Sequence, residues 1–103
     1  MTEFNLVILA PDCEHYRGPA ECVTVPGQAG EFGVLANHMP LVAGLKAGPV
    51  RVRAPQGREL WFAVDGGVLG VDAHGVRILT GRAEACPALD SARRAAAAFA
   101  RPR

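Results

Sequence analysis

Glycine and proline divide most of this sequence into short segments and then disappear near its C-terminus. The 12 glycines and 8 prolines make up 20 of the 103 residues, yet residues 88–101 contain neither. Both residue types interrupt regular structure, and breaks at roughly 8–12-residue spacing are typical of a β-sandwich or small barrel. The spacing therefore predicts a mostly β protein followed by one short C-terminal α-helix.

Within several of these segments, apolar residues alternate with other residues. The clearest case is 50–53, where two valines alternate with two arginines. Successive side chains of a strand point to opposite faces, so we expect the valines in the core and the arginines in water. The same alternation predicts that Phe4, Leu6 and Ile8 line one face of a strand. In another strand it predicts that Val23 and Val25 point to one side and Cys22 and Thr24 to the other.

Clusters of turn-forming residues predict where these strands are connected. Gly18 and Pro19 predict a hairpin, while 65–67 (Asp-Gly-Gly) and 72–75 predict two further turns. The glycine-rich segment 26–33 predicts turns with positive φ that hold Glu31 at a loop tip.

The segment after residue 87 has a helical pattern. It is rich in alanine, the strongest helix former, and has no Gly or Pro over 88–101. We expect Asp90 or Ser91 to cap its N-terminus and Pro102 to help end it. At helical spacing, the segment has a narrow apolar stripe of Leu89, Ala92, Ala96 and Phe99. This stripe is expected to pack either on the sheet or on a partner.

Charge and cysteine content exclude several classes of protein. The net charge of +1 creates no field that would attract nucleic acid, and Met1-Thr2-Glu3 predicts no secretory signal. The three cysteines form no CxxC pair. We therefore favour reduced thiols that act as small hydrophobic residues, with no metal and no cofactor. A metal site of Cys13, His15 and Cys22 is the alternative.

No catalytic residue is predicted from the polar side chains. A Walker loop requires Gly-Lys-Ser/Thr, whereas the glycine-rich segment carries Glu31 instead. Glu31 and His38 are conceivable as an acid/base pair with a cysteine nucleophile, but no motif brings them together. The segment 35–41 mixes His38 with apolar residues, which is typical of a protein contact surface.

Five segments, taken together, resemble one family, the epsilon subunit of F-type ATP synthase: 25–35 (VPGQAGEFGVL), 38–41 (HMPL), 45–52 (LKAGPVRV), 64–71 (VDGGVLGV) and 76–79 (VRIL). The resemblance implies a flattened ten-stranded β-sandwich or barrel over residues 1–86. It implies that residues 87–103 are a short helix and tail, the remnant of a helical hairpin.

The same resemblance implies a function and partners. It implies a noncatalytic central-stalk subunit that couples the gamma subunit to the membrane c-ring, placed peripherally at the cytoplasmic face of a bacterial membrane. By resemblance, Glu31, His38 and Met39 would face the c-ring, and Asp65, Gly66 and Gly67 would meet gamma. Ala36-Asn37 stands where the family usually has Pro-Gly.

The C-terminal segment also resembles part of the family's ATP-binding motif. Leu89, Asp90 and Arg93 match the start of (Ile/Leu)-Asp-x-x-Arg-Ala, but Arg94 replaces the alanine and no second helix follows in this sequence. The motif is therefore expected to be vestigial. Two alternatives to the rotor function remain, an epsilon-like sandwich that binds proteins outside the synthase and a small thiol or metal enzyme.

Overall fold

A computed structural model describes residues 3–100 as a β-rich fold with one helix. Most turn-rich segments became short connections, including a 3₁₀ turn at Pro55–Gly57. The strands and helix are β1 (Phe4–Leu9), β2 (Glu14–Ala20), β3 (Cys22–Gly27), β4 (Gly30–Leu35), β5 (Leu41–Arg53), β6 (Glu59–Asp72), β7 (Gly75–Leu79), β8 (Ala83–Cys86) and α1 (Leu89–Ala100).

The strands form one hydrogen-bonded series in the order β2-β1-β7-β6-β5-β3-β4, with β8 paired to the first half of β6. All pairs are antiparallel except β1 with β7. Among the described residues, β2 and β4 each end the series, so the sheet does not close into a barrel. The expectation of a mostly β sandwich with a C-terminal helix is confirmed, and its barrel alternative is wrong.

The two longest strands, β5 and β6, belong to both layers of the sandwich. The first layer contains β2, β1, β7, the second half of β6 and the first half of β5, and the second layer contains the other halves of β5 and β6 with β3, β4 and β8. In the first half of β6, the even-numbered residues Phe62 and Val64 are buried in the core. In its second half, the odd-numbered residues Leu69 and Val71 are buried there instead. A regular strand keeps one parity on one face, so the change shows that β6 turns over between these halves. The structure therefore has eight continuous strands rather than ten, because β5 and β6 each contribute to two layers.

The turnover of β6 depends on Gly67. Its φ is +128°, a conformation that side-chain-bearing residues rarely adopt. A Cβ at this position would lie 2.0 Å from the carbonyl oxygen of Leu79. The predicted turn at 65–67 is thus wrong in form, since these residues continue β6, but it marks the place where β6 changes layer.

The core lies between the two layers and consists mainly of valine, leucine and isoleucine. Leu6, Ile8, Val23 and Val25 are fully buried, and Phe4 packs against them from a half-buried position, as the alternation predicts. Val50 and Val52 are also fully buried, whereas the arginine between them is half-buried and the one after them exposed.

The predicted hairpin at Gly18 and Pro19 is wrong. Both residues lie inside β2, where Pro19 pairs with Asn5 and Gly18 with Leu6. An edge strand tolerates a residue without an N–H group, and β2 is an edge strand. The turn at 72–75 is confirmed between β6 and β7.

The helix α1 packs on the outer face of the sheet, against β5, β6 and β8. Ala92 and Ala96 are buried and Leu89 and Phe99 half-buried, so the predicted stripe is confirmed with the sheet as its partner. Ser91 caps the helix from its first turn, because its Oγ accepts a hydrogen bond from the N–H of Ala88 at 3.2 Å. The predicted stop at Pro102 lies outside the described residues. In residues 3–100, no helix has the length and hydropathy to cross a bilayer.

Candidate functional site

The outer surface of the first layer carries an apolar patch that nothing in the described chain covers. Val42, Val68 and Leu79 are 79%, 43% and 50% exposed. The register brings them together, because Val68 pairs with Leu79 and Val42 with Gly70, two residues further along β6. Leu9 pairs with Leu79, and Val7, two residues earlier on β1, is also half-buried. We call these five residues the outer patch.

Charged residues border the outer patch. The Nη2 of Arg77 donates to Oδ2 of Asp72 at 2.9 Å, and the backbone N–H of His74 donates to Oδ1 of the same carboxylate at 2.7 Å. The His74 hydrogen bond, and then the charge of Arg77, lower the pKa of Asp72. Lys46 is exposed at the other border. An apolar centre with a charged border is the arrangement of a protein-binding surface.

The loop that carries His38 and Met39 is strongly exposed. Met39 is 78% exposed and Leu35, at the start of the loop, 61%. Asn37 adopts a φ of 65°, the left-handed conformation that asparagine tolerates better than most residues. The Nδ1 of His38 donates a hydrogen bond to the carbonyl oxygen of Met39 at 2.7 Å. Its second ring nitrogen, Nε2, is therefore the one available to contact a partner.

Glu31 lies at the opposite end of β4 from this loop. It is the second residue of β4 rather than a loop tip, and it is exposed. Leu35 ends the strand four residues later, about 13 Å away at 3.3 Å per residue, and His38 lies beyond it. The structure therefore does not bring Glu31 and His38 together, and the acid/base pair is not formed.

The segment at Asp65, Gly66 and Gly67 has a structural role in this chain. Oδ1 of Asp65 accepts hydrogen bonds from the Oγ1 of Thr80 at 2.9 Å and from the N–H groups of Gly81 and Arg82 at 3.1 and 3.0 Å. These bonds fix the connection between β7 and β8. Gly66 is buried and Gly67 half-buried, so Asp65 is the member of this segment that reaches solvent, and its Oδ2 accepts no hydrogen bond from the described residues.

The motif residues Leu89, Asp90 and Arg93 lie in the first turns of α1. Leu89 is half-buried against the sheet, while Asp90 and Arg93 are exposed. Leu89 and Arg93 border a shallow groove that Glu31 also lines. Arg51 lines the groove as well, so its lining combines two guanidinium groups with one carboxylate. The carboxylate of Asp90, in the first turn of α1, interacts favourably with the helix dipole.

The cysteines are arranged differently from the prediction. Cys13 is exposed and not a small hydrophobic residue of the core, whereas Cys22 and Cys86 are half-buried. Cys22 lies on β3 in the second layer, so the predicted site of Cys13, His15 and Cys22 is not formed. Instead Asp12 joins Cys13 and His15 in one cluster of potential metal ligands.

Two of these groups have shifted pKa values. The hydrogen bond with His15 lowers the pKa of Asp12. Desolvation, followed by the negative charge of Asp12, raises the pKa of the Cys13 thiol. A raised pKa disfavours the thiolate, which is the nucleophilic form of cysteine.

Sequence reasoning missed the outer patch and the role of Asp12. The patch has a signal in the sequence, because β1 and the second half of β6 carry apolar residues or glycine at outward positions where a solvated strand has polar ones. The signal for Asp12 was its place beside Cys13 and within three residues of His15, but the turn that brings the three together is not readable from spacing alone.

Comparison with known proteins places the chain in a family. Residues 3–86 match the family model described as "ATP synthase, Delta/Epsilon chain, beta-sandwich domain". The ATP synthase epsilon chain of Laribacter hongkongensis is 35% identical over 98 residues, covering 94% of this chain and 70% of the relative. That of Brevibacillus brevis is 39% identical over 84 residues, covering 82% of this chain and 64% of the relative.

Solved structures have the same fold. A chain of the Euglena gracilis mitochondrial ATP synthase, in a structure of its OSCP/F1/c-ring, matches with a TM-score of 0.76 and 28% identity over 81% of this chain and 53% of its own length. A chain of the Tetrahymena thermophila central stalk/c-ring matches with a TM-score of 0.65 at 16% identity, which shows the fold alone. With the family model and these relatives in agreement, the chain belongs to the ATP synthase delta/epsilon family, through its β-sandwich domain.

Proposed function

We propose that this chain is a noncatalytic central-stalk subunit of an F-type, proton-transporting ATP synthase and couples the gamma subunit to the membrane c-ring. The observation that carries the proposal is the outer patch, an exposed apolar surface on a sheet whose other side is fully packed. Family membership identifies the assembly, since the relatives are named ATP synthase epsilon chains. The related Euglena chain is part of an F1/c-ring structure.

The gamma subunit is the proposed occupant of the outer patch. The patch crosses four neighbouring strands, and Val42 and Leu79 remain at least half exposed in the isolated chain. Burying such side chains contributes about 25 cal/mol per Å² of apolar area, so a partner that covers them gains favourable free energy from this surface. Oδ2 of Asp65, together with Gly66 and Gly67, forms the proposed extension of this contact.

Residues at the two ends of β4 are the proposed contacts with the c-ring. Glu31 is exposed at one end, and His38 and Met39 are exposed in the loop that follows the other. The carboxylate of Glu31 and Nε2 of His38 can form hydrogen bonds with polar loops of a partner. The flexible thioether of Met39 can pack against apolar side chains there. Contact at both ends of this edge strand would extend the interface with the c-ring over about 13 Å or more.

Two further proposals concern organisation and location. We propose that residues 1–86 form the coupling body and that the segment from residue 87 onward is a separate helical element, in which Leu89, Asp90 and Arg93 correspond to the start of the family's ATP motif. The chain would be peripheral to the membrane, held there only through its complex. In a bacterium, this location is the cytoplasmic face of the inner membrane.

Copurification with gamma tests the central proposal. When this chain and its cognate gamma subunit are coexpressed, we expect one complex on gel filtration at micromolar concentration. Leu79→Glu places a charge in the outer patch and is expected to separate the two proteins. Met39→Glu, an apolar-to-acidic change outside the patch at a residue that is 78% exposed against 50% for Leu79, is the control and should leave the complex intact. Separate elution of the unmodified proteins would overturn the rotor function and favour a binding module outside the synthase.

Proton pumping tests the c-ring contacts separately. In membrane vesicles that contain the assembled synthase, Met39→Glu and Glu31→Lys are expected to lower ATP-driven proton pumping relative to ATP hydrolysis, while gamma remains bound. Arg58→Glu, an exposed change in the connection between β5 and β6, is the control for charge alone. Unchanged pumping in both the Glu31 and the Met39 variants would remove these residues from the contact with the c-ring.

A further inference from the structure

The connection between β1 and β2 collects three different potential metal ligands. Asp12 and Cys13 belong to the connection, which is closed by a hydrogen bond from the N–H of Ala10 to the carbonyl oxygen of Cys13 at 3.1 Å. His15 follows on β2 at a β-bulge, because Ile8 pairs with Tyr16 and Leu9 with Glu14, which leaves His15 without a partner residue. A bulge redirects a side chain, and here it turns the imidazole towards the connection.

The ligand atoms of the cluster are close enough to share one cation. Nε2 of His15 lies 3.1 Å from Oδ1 of Asp12 and 3.7 Å from Sγ of Cys13. Sγ of Cys13 lies 3.8 Å from Oδ2 of Asp12. Zinc bonds of about 2.0–2.3 Å in a tetrahedron place neighbouring ligand atoms roughly 3.3–3.6 Å apart. The separation of His15 Nε2 from Cys13 Sγ is within about 0.1–0.2 Å of this geometry. Asp12 contacts His15 and Cys13 through different carboxylate oxygens, and one ligand atom from each of the three residues lies within 4.8 Å of the other two. A rotation of the exposed Asp12 carboxylate would therefore complete the three-ligand set.

The surroundings of the cluster suit an accessible site. The imidazole of His15 is only 15% exposed and therefore held in place, while the Asp12 side chain is 69% exposed and able to adjust. Glu14 does not compete, because its Oε1 accepts a hydrogen bond from Nε of Arg17 at 2.8 Å. A thiolate, an imidazole and a carboxylate together form a donor set that favours zinc-class cations over magnesium or calcium.

We propose that Asp12, Cys13 and His15 form a surface site for one divalent cation of the zinc class. The three side chains supply three of four tetrahedral positions, and the fourth, which faces solvent, takes water or one group from a bound partner. When the cation binds, the S–H bond of Cys13 breaks, its proton passes to the solvent and the sulfur forms the bond to the metal. The site lies at the end of β1 and is independent of the proposed rotor function.

Metal titration of the reduced, full-length chain tests the site. With Zn²⁺ alone we expect one equivalent to bind and the unfolding temperature to rise, because a ligand that binds only the native state stabilises it. With Co²⁺ alone we expect a thiolate-to-cobalt charge-transfer band in the near ultraviolet. Cys13→Ser, His15→Ala and Asp12→Asn should each weaken zinc binding by about tenfold or more, and Cys13→Ser should abolish the band.

The other two cysteines provide matched controls. Cys22→Ser and Cys86→Ser remove a thiol elsewhere in the fold and should leave zinc affinity within about twofold of the unmodified chain. Circular dichroism checks that each variant is folded. Absence of stoichiometric zinc binding would overturn the proposal. So would zinc or cobalt binding that survives Cys13→Ser together with His15→Ala, because the metal would then be held by other groups.

Discussion

The two halves of the β5–β6 ribbon carry different outer surfaces. Over the first half of β6, α1 covers the sheet, and Ala63, Ala92 and Ala96 are buried outside the main core. Over the second half, the outer patch is bare and Val68 is 43% exposed. Small alanines in the covered half allow a helix to pack closely within the chain. The larger apolar side chains of the bare half remain exposed among the described residues.

This difference shows that burial inside one chain and apolar exposure at a binding surface can occur on the same two strands. The turnover at Gly66 and Gly67 separates them, because each half of β6 presents residues of opposite parity to the core.

Replacing Gly67 tests the turnover and should have the largest effect. Gly67→Ala forces a Cβ into the carbonyl of Leu79 at a φ that alanine disfavours, so we expect a loss of about 3 kcal/mol or more in the free energy of unfolding, or no folded protein. Gly70→Ala is the control, because a Cβ there meets no atom within 4 Å. Equal urea midpoints for the two variants would show that β6 needs no glycine to turn over.

A charge beneath α1 tests the covered half. Ala92→Glu buries an unpaired carboxylate against the sheet and should cost about 2–3 kcal/mol in unfolding free energy. Ala97→Glu makes the same change on the exposed side of α1 and should stay within about 0.5 kcal/mol. If chemical denaturation gave both variants the same stability, α1 would not be docked on the sheet in solution.

Removing the carboxylate of Asp65 tests the boundary between the halves. Asp65→Ala leaves the N–H groups of Gly81 and Arg82 and the hydroxyl of Thr80 without their shared acceptor. Thr80 keeps the carbonyl of Arg82 as an acceptor, so we expect a loss of about 1–3 kcal/mol in unfolding free energy. Hydrogen exchange at Gly81 and Arg82 should accelerate more than at other amides. Unchanged exchange there would contradict the role of Asp65.

The pH dependence of stability tests the border of the bare half and has the smallest expected effect. The pKa of Asp72 is lowered below 3.8 in the folded chain, so its contribution to stability is present above pH 3.8 and is lost as the pH falls through the lowered pKa. Asp72→Asn should therefore reduce the loss of stability between pH 5 and pH 2, measured by urea unfolding. Glu31→Gln, an exposed change outside the border, is the control. If both variants lost the same stability between pH 5 and pH 2, the contribution of Asp72 would be contradicted.

The sequence was sufficient for the parts of the fold that rest on local pattern. Alternation identified the buried faces at Leu6, Ile8, Val50 and Val52, and alanine content with helical spacing identified α1. The connections were harder, because Gly18 and Pro19 have turn chemistry but lie in an edge strand where tertiary pairing tolerates them.

The candidate sites depend on long-range register, which local spacing does not contain. Val42, Val68 and Leu79 come from three strands and meet only through pairing across the sheet. Asp12 joins His15 because a bulge redirects the imidazole. The resemblance to epsilon subunits identified the family, but the c-ring and gamma residues that it implies stay predictions for this chain.

The affinity of gamma for two matched variants tests whether gamma binds the outer patch. The affinity of purified gamma is measured by isothermal titration for the unmodified chain, for Val68→Glu in the bare half, and for Ala97→Glu on the exposed side of α1. We expect Val68→Glu to weaken binding by about tenfold or more with little change in stability, and Ala97→Glu to bind like the unmodified chain. Normal binding by Val68→Glu, with loss of binding by Ala97→Glu, would contradict binding of gamma at the outer patch. It would assign gamma to the helix-covered half instead.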